Sequence, residues 1–291
     1  MSMDLPQLRA LAAAVETGTL DAAARVLHVT PSAVSQRIRA LEVDTGQVLL
    51  VRSRPVEPTD AGAAVLRLAR QVELLVADTT AALAGVPADG SPPTVPVAVN
   101  ADSLATWFLP ALAPVADRVG LDARVADQEH TAALLRGGTV MAAVTADADP
   151  VPGCSASRLG AMRYRPMAAP SVVERWFPEG ATSAALRRAP VVVFDRTDDL
   201  QAAYLRRRTH AVVRPPTHHV PSSADYLAAV RLGFGWGMVP DLQTGPDDRL
   251  VELDPGGAVD VVLWWQQWKL RSPSLDLVAD AVRTAARAAL T

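Results

Sequence analysis

Two sets of residues in this chain carry usable chemistry. The first lies between Thr30 and Leu41, TPSAVSQRIRAL, where no acid occurs. With Val34, Ile38 and Leu41 recurring at helical spacing and turned inward, Ser32, Ala33, Ser35, Gln36, Arg37 and Arg39 project outward. Gln bonds adenine bidentately and Arg bonds guanine, while small Ser and Ala let a helix sink into a major groove. The second set sits where strands give way to helices further on: Asn100, Asp102, Ser103 and Thr106; Asp127 and Glu129; Thr145; Thr197, Asp198 and Asp199; Ser222, Ser223 and Asp225. Such loops offer N–H groups and hydroxyls to a carboxylate, and here they also hold an excess of acids for a cation. A basic amino acid has both needs. Each residue taken alone reads more readily as a helix cap; only the acid excess tilts the set toward a cationic ligand.

The elements that position the first set are a helical pair. Thr19 caps one helix, with Asp21 at its positive end and Ala23, Ala24 and Leu27 on one face. His28-Val29 makes the turn. Thr30 caps the second helix and Pro31 takes its first position, where a missing N–H costs nothing. An ordinary helical hairpin with a solvated polar face fits the same periodicity. Leu5 to Thr17 is an amphipathic helix whose Leu8, Leu11, Ala12 and Val15 cover the pair. Gln47–Val51 reads as a short strand, Arg52-Ser53-Arg54-Pro55 as a basic tip and Val56–Pro58 as a returning strand. Arg52 and Arg54 reach phosphate or a narrow minor groove in such a wing. Thr59 then caps a helix running to about Ala84. Its Val65, Leu68, Val72, Leu75, Thr79 and Leu83 recur by threes and fours, close to a heptad seam, and predict a dimerisation helix. Gly85 to Thr94 is a Gly/Pro-rich linker.

PSAVSQRIRALE followed by GQVLLVRSRPVEPTDAG resembles the N-terminal domain of the LysR-type transcriptional regulators, with Leu50 where many members have Phe. The resemblance implies a winged helix-turn-helix at residues 1–58, a dimerisation helix and linker at 59–94, and a two-lobed, periplasmic-binding-protein-like α/β effector domain at 95–291. In that division lobe 1 covers about 95–162 plus 267–291 and lobe 2 about 163–266. VNADSLATWFLPAL, VPGC, LGAMRY, GWGMVP and WWQQWKL are similar to the lysine- and arginine-sensing branch of that family. Its members bind lysine, arginine or sometimes histidine and control a basic amino-acid exporter gene. By implication Asn100, Asp102, Ser103 and Asp127 match ligand positions, double-stranded operator DNA and RNA polymerase are partners, and the protein is a homodimer or homotetramer without a cofactor beyond the effector, L-lysine or L-arginine. Where relatives carry an acid directly after the Ser/Thr pair, this chain has Ala224 and then Asp225.

The C-terminal pattern agrees with an α/β domain. Strands are expected at 95–99, 121–127, 141–145, 163–168, 191–194, 218–220, 237–239 and 261–268. Helices are expected from the residues after Ser103 to Ala116, and at 130–136, 171–176, 199–206, 223–232 and 273–290. Of 291 residues 49% are hydrophobic, enough for cores in both parts, and the net charge of −3 leaves any nucleic-acid signature to local charge. Between Arg25 and Arg54 there are five Arg against Glu42 and Asp44. Cys154 stands alone, the N-terminus lacks a signal-peptide pattern, and no apolar run reaches membrane-spanning length, which together predict a cytoplasmic protein away from membranes. No Cys or His pair has zinc spacing, so no metal is expected. Gly233-Phe-Gly235-Trp-Gly237 follows a helix and precedes a strand, the reverse of a dinucleotide loop, and reads as a tight turn. No G-x-S-x-G elbow appears, so an enzyme is not expected. Trp264, Trp265 and Trp268 are expected in the core, with a π face for a ligand cation as the alternative use. The competing class to a regulator is an architectural DNA-binding protein whose α/β domain only oligomerises.

Overall fold

The computed structural model describes residues 3–51, 53–84, 92–126 and 128–291. Arg52, Asp127, the side chain of Glu129 and most of the expected linker lie outside the described residues. Helices α1 (Leu5–Thr17), α2 (Leu20–Val26) and α3 (Pro31–Thr45) form the N-terminal domain with a small wing, β1 (Leu50–Val51) and β2 (Glu57–Pro58). The caps follow from the side chains. Thr19 Oγ1 accepts from Ala22 N, and Thr30 Oγ1 accepts from Ala33 N at 3.2 Å, with Pro31 opening α3. The α2–α3 turn bends at His28, whose φ is 52°. Leu8, Leu11, Ala23, Ala24, Val34, Ile38 and Leu41 bury together as one core.

The first wing strand is shorter than the expected Gln47–Val51. Leu49 is buried, and its N–H donates to Glu42 Oε1 at 2.9 Å rather than to a ladder. Its carbonyl accepts from Thr59 N, and Thr59 Oγ1 donates to Val48 O at 2.7 Å. The start of α4 (Asp60–Ala84) is therefore laid across this segment. Gly62 makes the approach possible, since a Cβ there would lie 1.8 Å from Leu49 O.

α4 belongs to two cores. Val65, Leu66 and Ala69 pack into the N-terminal domain, whereas Leu74 packs into the C-terminal one. The expected dimerisation row divides accordingly. Val65 is buried and Val72 half-buried against their own domain, while Leu68, Leu75 and Leu83 stay exposed at 41%, 36% and 84%. α4 is also fastened to the C-terminal domain. Arg67 Nη1 donates to Arg136 O at 2.9 Å, and Asp78 accepts from both Ser272 and Ser274 hydroxyls.

The C-terminal domain alternates as expected through β3 (Thr94–Val99), a helical run, β4 (Gly120–Val125), α7 (Gln128–Arg136) and β5 (Ala142–Thr145). The run comprises α5 (Ala101–Ser103), a π segment (Leu104–Phe108), α6 (Leu109–Leu112) and a 3-10 turn (Ala113–Val115). β3 pairs parallel with β4 and β5. Two long strands then span both lobes, β6 (Cys154–Ala168) and β11 (Val259–Trp268), antiparallel from Val259↔Tyr164 to Trp268↔Cys154. β6 starts nine residues before the expected Arg163, because its N-terminal half pairs with β11 rather than showing a pattern of its own. The expected lobe boundaries near residues 162 and 266 fall inside these two strands.

Lobe 2 adds α8 (Pro170–Trp176), α9 (Ser183–Arg188), β7 (Val191–Val193), α10 (Leu200–Thr209), β8 (Thr217–His219), α11 (Ser223–Arg231), β9 (Gly237–Pro240) and β10 (Val251–Glu252). β9 and β10 pair antiparallel with β6, and β7 pairs parallel with β8. α12 (Pro273–Ala289) returns to lobe 1 and buries Leu275, Val278, Ala279 and Val282. α9 and β10 escaped the sequence reading; both are short and their apolar residues follow no clear period. Trp265 and Trp268 are core residues, as expected, whereas Trp264 is only half-buried. The face of Trp268 holds the Arg67 guanidinium at 4.9 Å, so its π surface serves α4 instead of a ligand.

Candidate functional site

The first site is the outer face of α3. Ser32, Ser35, Gln36 and Arg39 are exposed, and Ala33 and Arg37 are half-buried. Thr30 spends its oxygen on the cap and on a 2.9 Å hydrogen bond with Ser32 Oγ, which fixes the start of the helix without closing its outer face. Arg54 is exposed at the wing tip, and the wing is anchored by Val56 N donating to Gly18 O at 2.9 Å. A helix free on one face, beside a two-stranded tip, has the shape that enters a major groove.

The second site is a cleft of about 1110 Å³ between the lobes. Lobe 1 contributes Asn100, Asp102 and Thr145, and lobe 2 contributes Asp195, Asp198 and Gln201. Tyr164 reaches the cleft from β6, and Tyr226 from α11. Asp102 stands in the first turn after β3. Its Oδ2 accepts from Tyr164 OH at 2.8 Å and its Oδ1 from Ser223 Oγ at 2.6 Å. Ser223 Oγ in turn accepts from Gln243 Nε2. Burial, followed by the nearby Asp102 charge, holds the Tyr164 hydroxyl well above its usual pKa, so it stays a donor.

Asp198 is the second carboxylate on the wall. Its Oδ1 accepts from Leu200 N at 3.0 Å and its Oδ2 from Phe194 N at 3.3 Å. Burial raises its pKa above the ordinary carboxylate value, opposed by those two N–H groups and the Gln201 amide and reinforced by Asp102. Among the described residues no Arg or Lys pairs with Asp102 or Asp198. The neighbouring Asp195 Oδ1 accepts from Thr197 N, Thr197 Oγ1 and Asp198 N, which shapes the loop. Asp199 faces Arg206 instead; that guanidinium's hydrogen bonds lower its pKa.

The remaining expected ligand residues are placed as follows. Ser103 is fully buried behind the cleft with its hydroxyl unpaired. Thr106 Oγ1 donates to Asp102 O at 2.6 Å within the π segment, so it supports the backbone of Asp102 and is not among the wall residues. Thr145 lines the cleft and accepts from Asp147 N. Ser222 caps α11 by accepting from Asp225 N, and Asp225 is exposed on the first turn. Neither Ser222 nor Asp225 lines the cleft; Ser223, one residue inward, is the member of that loop that reaches Asp102. Tyr164, Gln201 and Tyr226 were not foreseen. A Tyr within a strand or a Gln within a helix carries no local sign of the cavity it will face.

Residues 5–63 match the family model for bacterial regulatory helix-turn-helix proteins of the lysR family, and residues 89–287 match the LysR substrate binding domain. The chain is 46% identical over 290 residues to the HTH-type transcriptional regulator LysG of Mycobacterium tuberculosis, covering 98% of this chain and 94% of that relative. The crystal structure of ArgP from Mycobacterium tuberculosis superposes with a TM-score of 0.86 at 46% identity, covering 99% of each chain. Full-length LysG from Corynebacterium glutamicum with bound effector Arg superposes with a TM-score of 0.78 at 37% identity, again covering 99% of each. With an exposed polar face on α3, a two-stranded wing and a two-lobed domain whose cleft gathers several carboxylates, this chain belongs to the LysR family of bacterial transcriptional regulators.

Proposed function

We propose that this regulator senses a basic amino acid, L-arginine or L-lysine, in the cleft between its lobes and uses it to alter its grip on operator DNA. The observation that carries the reading is Asp198: a half-buried carboxylate on the cleft wall, met by backbone N–H groups and the Gln201 amide and, among the described residues, by no cation. Burying an ionised carboxylate without a counter-charge is costly, and a ligand that brings one recovers part of that cost. Asp102, from the opposite lobe, supplies a further carboxylate, held by the Tyr164 and Ser223 hydroxyls. The bound effector Arg of the Corynebacterium glutamicum relative supports the same ligand class.

In this reading Ser32, Ala33, Ser35, Gln36, Arg37 and Arg39 meet base edges and phosphates, with Arg52 and Arg54 following the backbone. The exposed Leu68, Leu75 and Leu83 row pairs with a second copy to present two recognition helices to a two-fold operator. The assembly is that homodimer, or a homotetramer of two such dimers. The regulated gene encodes a basic amino-acid exporter, the protein works in the cytoplasm, and the DNA arrangement it sets governs RNA polymerase at the promoter. A ligand shifts that arrangement only by binding one of two states more tightly. A thermal-shift screen of the intact protein against the twenty amino acids tests the sensing claim. Arginine or lysine raises the melting temperature with concentration and acidic or apolar amino acids do not; a flat profile across all twenty overturns it.

A further inference from the structure

Gln201 lies in the first turn of α10, is 2% exposed, and lines the cleft three residues after Asp198. Its Nε2 donates to Tyr226 OH at 2.9 Å, and Tyr226 OH donates to Met238 O at 3.2 Å. A backbone carbonyl only accepts, so the phenol proton must point at Met238, and the phenol oxygen must receive its proton from Gln201. This relay fixes which end of the amide is nitrogen. Oε1 is the end left over, and it is buried without a hydrogen-bond partner. Met238 is itself locked in β9, paired with Pro166 of β6, so the relay is anchored in the sheet between the lobes. An amide oxygen accepts and never donates, and a buried one left unmet costs free energy that a donor returns.

We propose that Gln201 is a specificity-determining residue of the cleft, whose Oε1 receives an N–H donor from the cationic end of the effector while Asp198 meets its charge. This rests on the reading of the cleft as a basic amino-acid site. The two groups divide recognition between them. Asp198 attracts any cation; Gln201 demands that the cation carry an N–H directed away from the carboxylate. Arginine and lysine both satisfy the pair. An apolar side chain of equal length leaves both acceptors unmet, and sites built around such acceptors reject ligands that lack the donor far more strongly than apolar pockets reject a missing methylene.

Two substitutions separate this role from a structural one. Gln201→Met keeps the shape and removes both ends of the amide. Gln201→Glu removes the donor to Tyr226 and to Asp198 but keeps an acceptor oxygen. Calorimetric titration of the intact protein with L-arginine and L-lysine is expected to show Gln201→Met weakened about 10- to 100-fold, with Gln201→Glu retaining wild-type affinity or binding more tightly. Equal weakening in both variants assigns Gln201 to holding Tyr226 and Asp198 through its N–H groups and overturns the proposal, as does undiminished binding by Gln201→Met; Gln201→Leu replaces it if Gln201→Met does not fold. A wild-type protein that binds neither amino acid overturns the sensing reading itself, an outcome distinct from wild-type binding that ignores position 201.

Discussion

Asp102 and Ser223 are 121 residues apart in the chain, yet Ser223 Oγ donates to Asp102 Oδ1 at 2.6 Å. The bond crosses from lobe 1 to lobe 2 at the cleft. With Tyr164 on the other oxygen, the Asp102 carboxylate has both oxygens engaged by hydroxyls before any ligand arrives. Asp102→Ala strands both hydroxyls and is expected to destabilise the C-terminal domain by about 1–3 kcal/mol. Urea unfolding measures this. DNA binding through α3 is retained, and arginine binding is lost. An unchanged unfolding midpoint would show that the lobes do not depend on this bond.

The raised pKa of Asp198 gives a pH dependence with a definite sign. The folded carboxyl keeps its proton at pH values where the unfolded chain has already released it. Its contribution to stability is therefore greatest below the ordinary carboxylate range and falls as pH rises through the window up to the raised folded value. Cation binding needs the ionised form, so ligand affinity rises with pH over that same window and binding releases protons. Calorimetry in two buffers of different ionisation enthalpy reads the proton count, and Asp198→Asn removes it. Buffer-independent heats in the wild type would contradict the assignment.

Gly62 couples α4 to the wing. A methyl group at this position meets Leu49 O head-on, and neither the helix nor Leu49, held by Glu42 and Thr59, can yield cheaply. Gly62→Ala is expected to cost the N-terminal domain on the order of 2 kcal/mol and to weaken DNA binding by displacing the wing. Chemical unfolding with an N-terminal probe checks the first and a DNA titration the second.

Arg37 is half-buried on the exposed side of α3. If it reads a base, Arg37→Ala costs specific operator binding roughly 1–3 kcal/mol while non-specific binding is nearly unchanged. Equal loss on both DNAs places Arg37 on phosphate instead. Fluorescence anisotropy with specific and scrambled duplexes, at one fixed salt concentration, separates the two outcomes.

The N-terminal elements were legible because their instructions are local. Thr19, Thr30 and Pro31 act within one helical turn of themselves, and the inward residues Val34, Ile38 and Leu41 follow one period. The wing strand was overextended because Leu49 satisfies its backbone with Glu42 and Thr59, partners that apolar content does not reveal. The cleft was legible in part. Asn100, Asp102 and Thr145 were found from the rule that ligands gather at strand ends, and they do line it. The same rule pointed at Asp225, which the cap geometry of Ser222 turns to solvent. Tyr164 and Gln201 stayed hidden because their placement depends on β6 crossing both lobes and on α10 packing beside β9. The seam on α4 showed a period but not which of its residues two separate cores would claim.

The most direct test of the account is calorimetric titration of the intact wild-type protein and of Asp198→Asn with L-arginine at neutral pH. The account predicts saturable binding by the wild type and at least about tenfold weaker binding by the variant, since one hydrogen-bonded charge contact is worth about 1.5–3 kcal/mol. Equal affinities in the two proteins, or no uptake of arginine by the wild type, would contradict it.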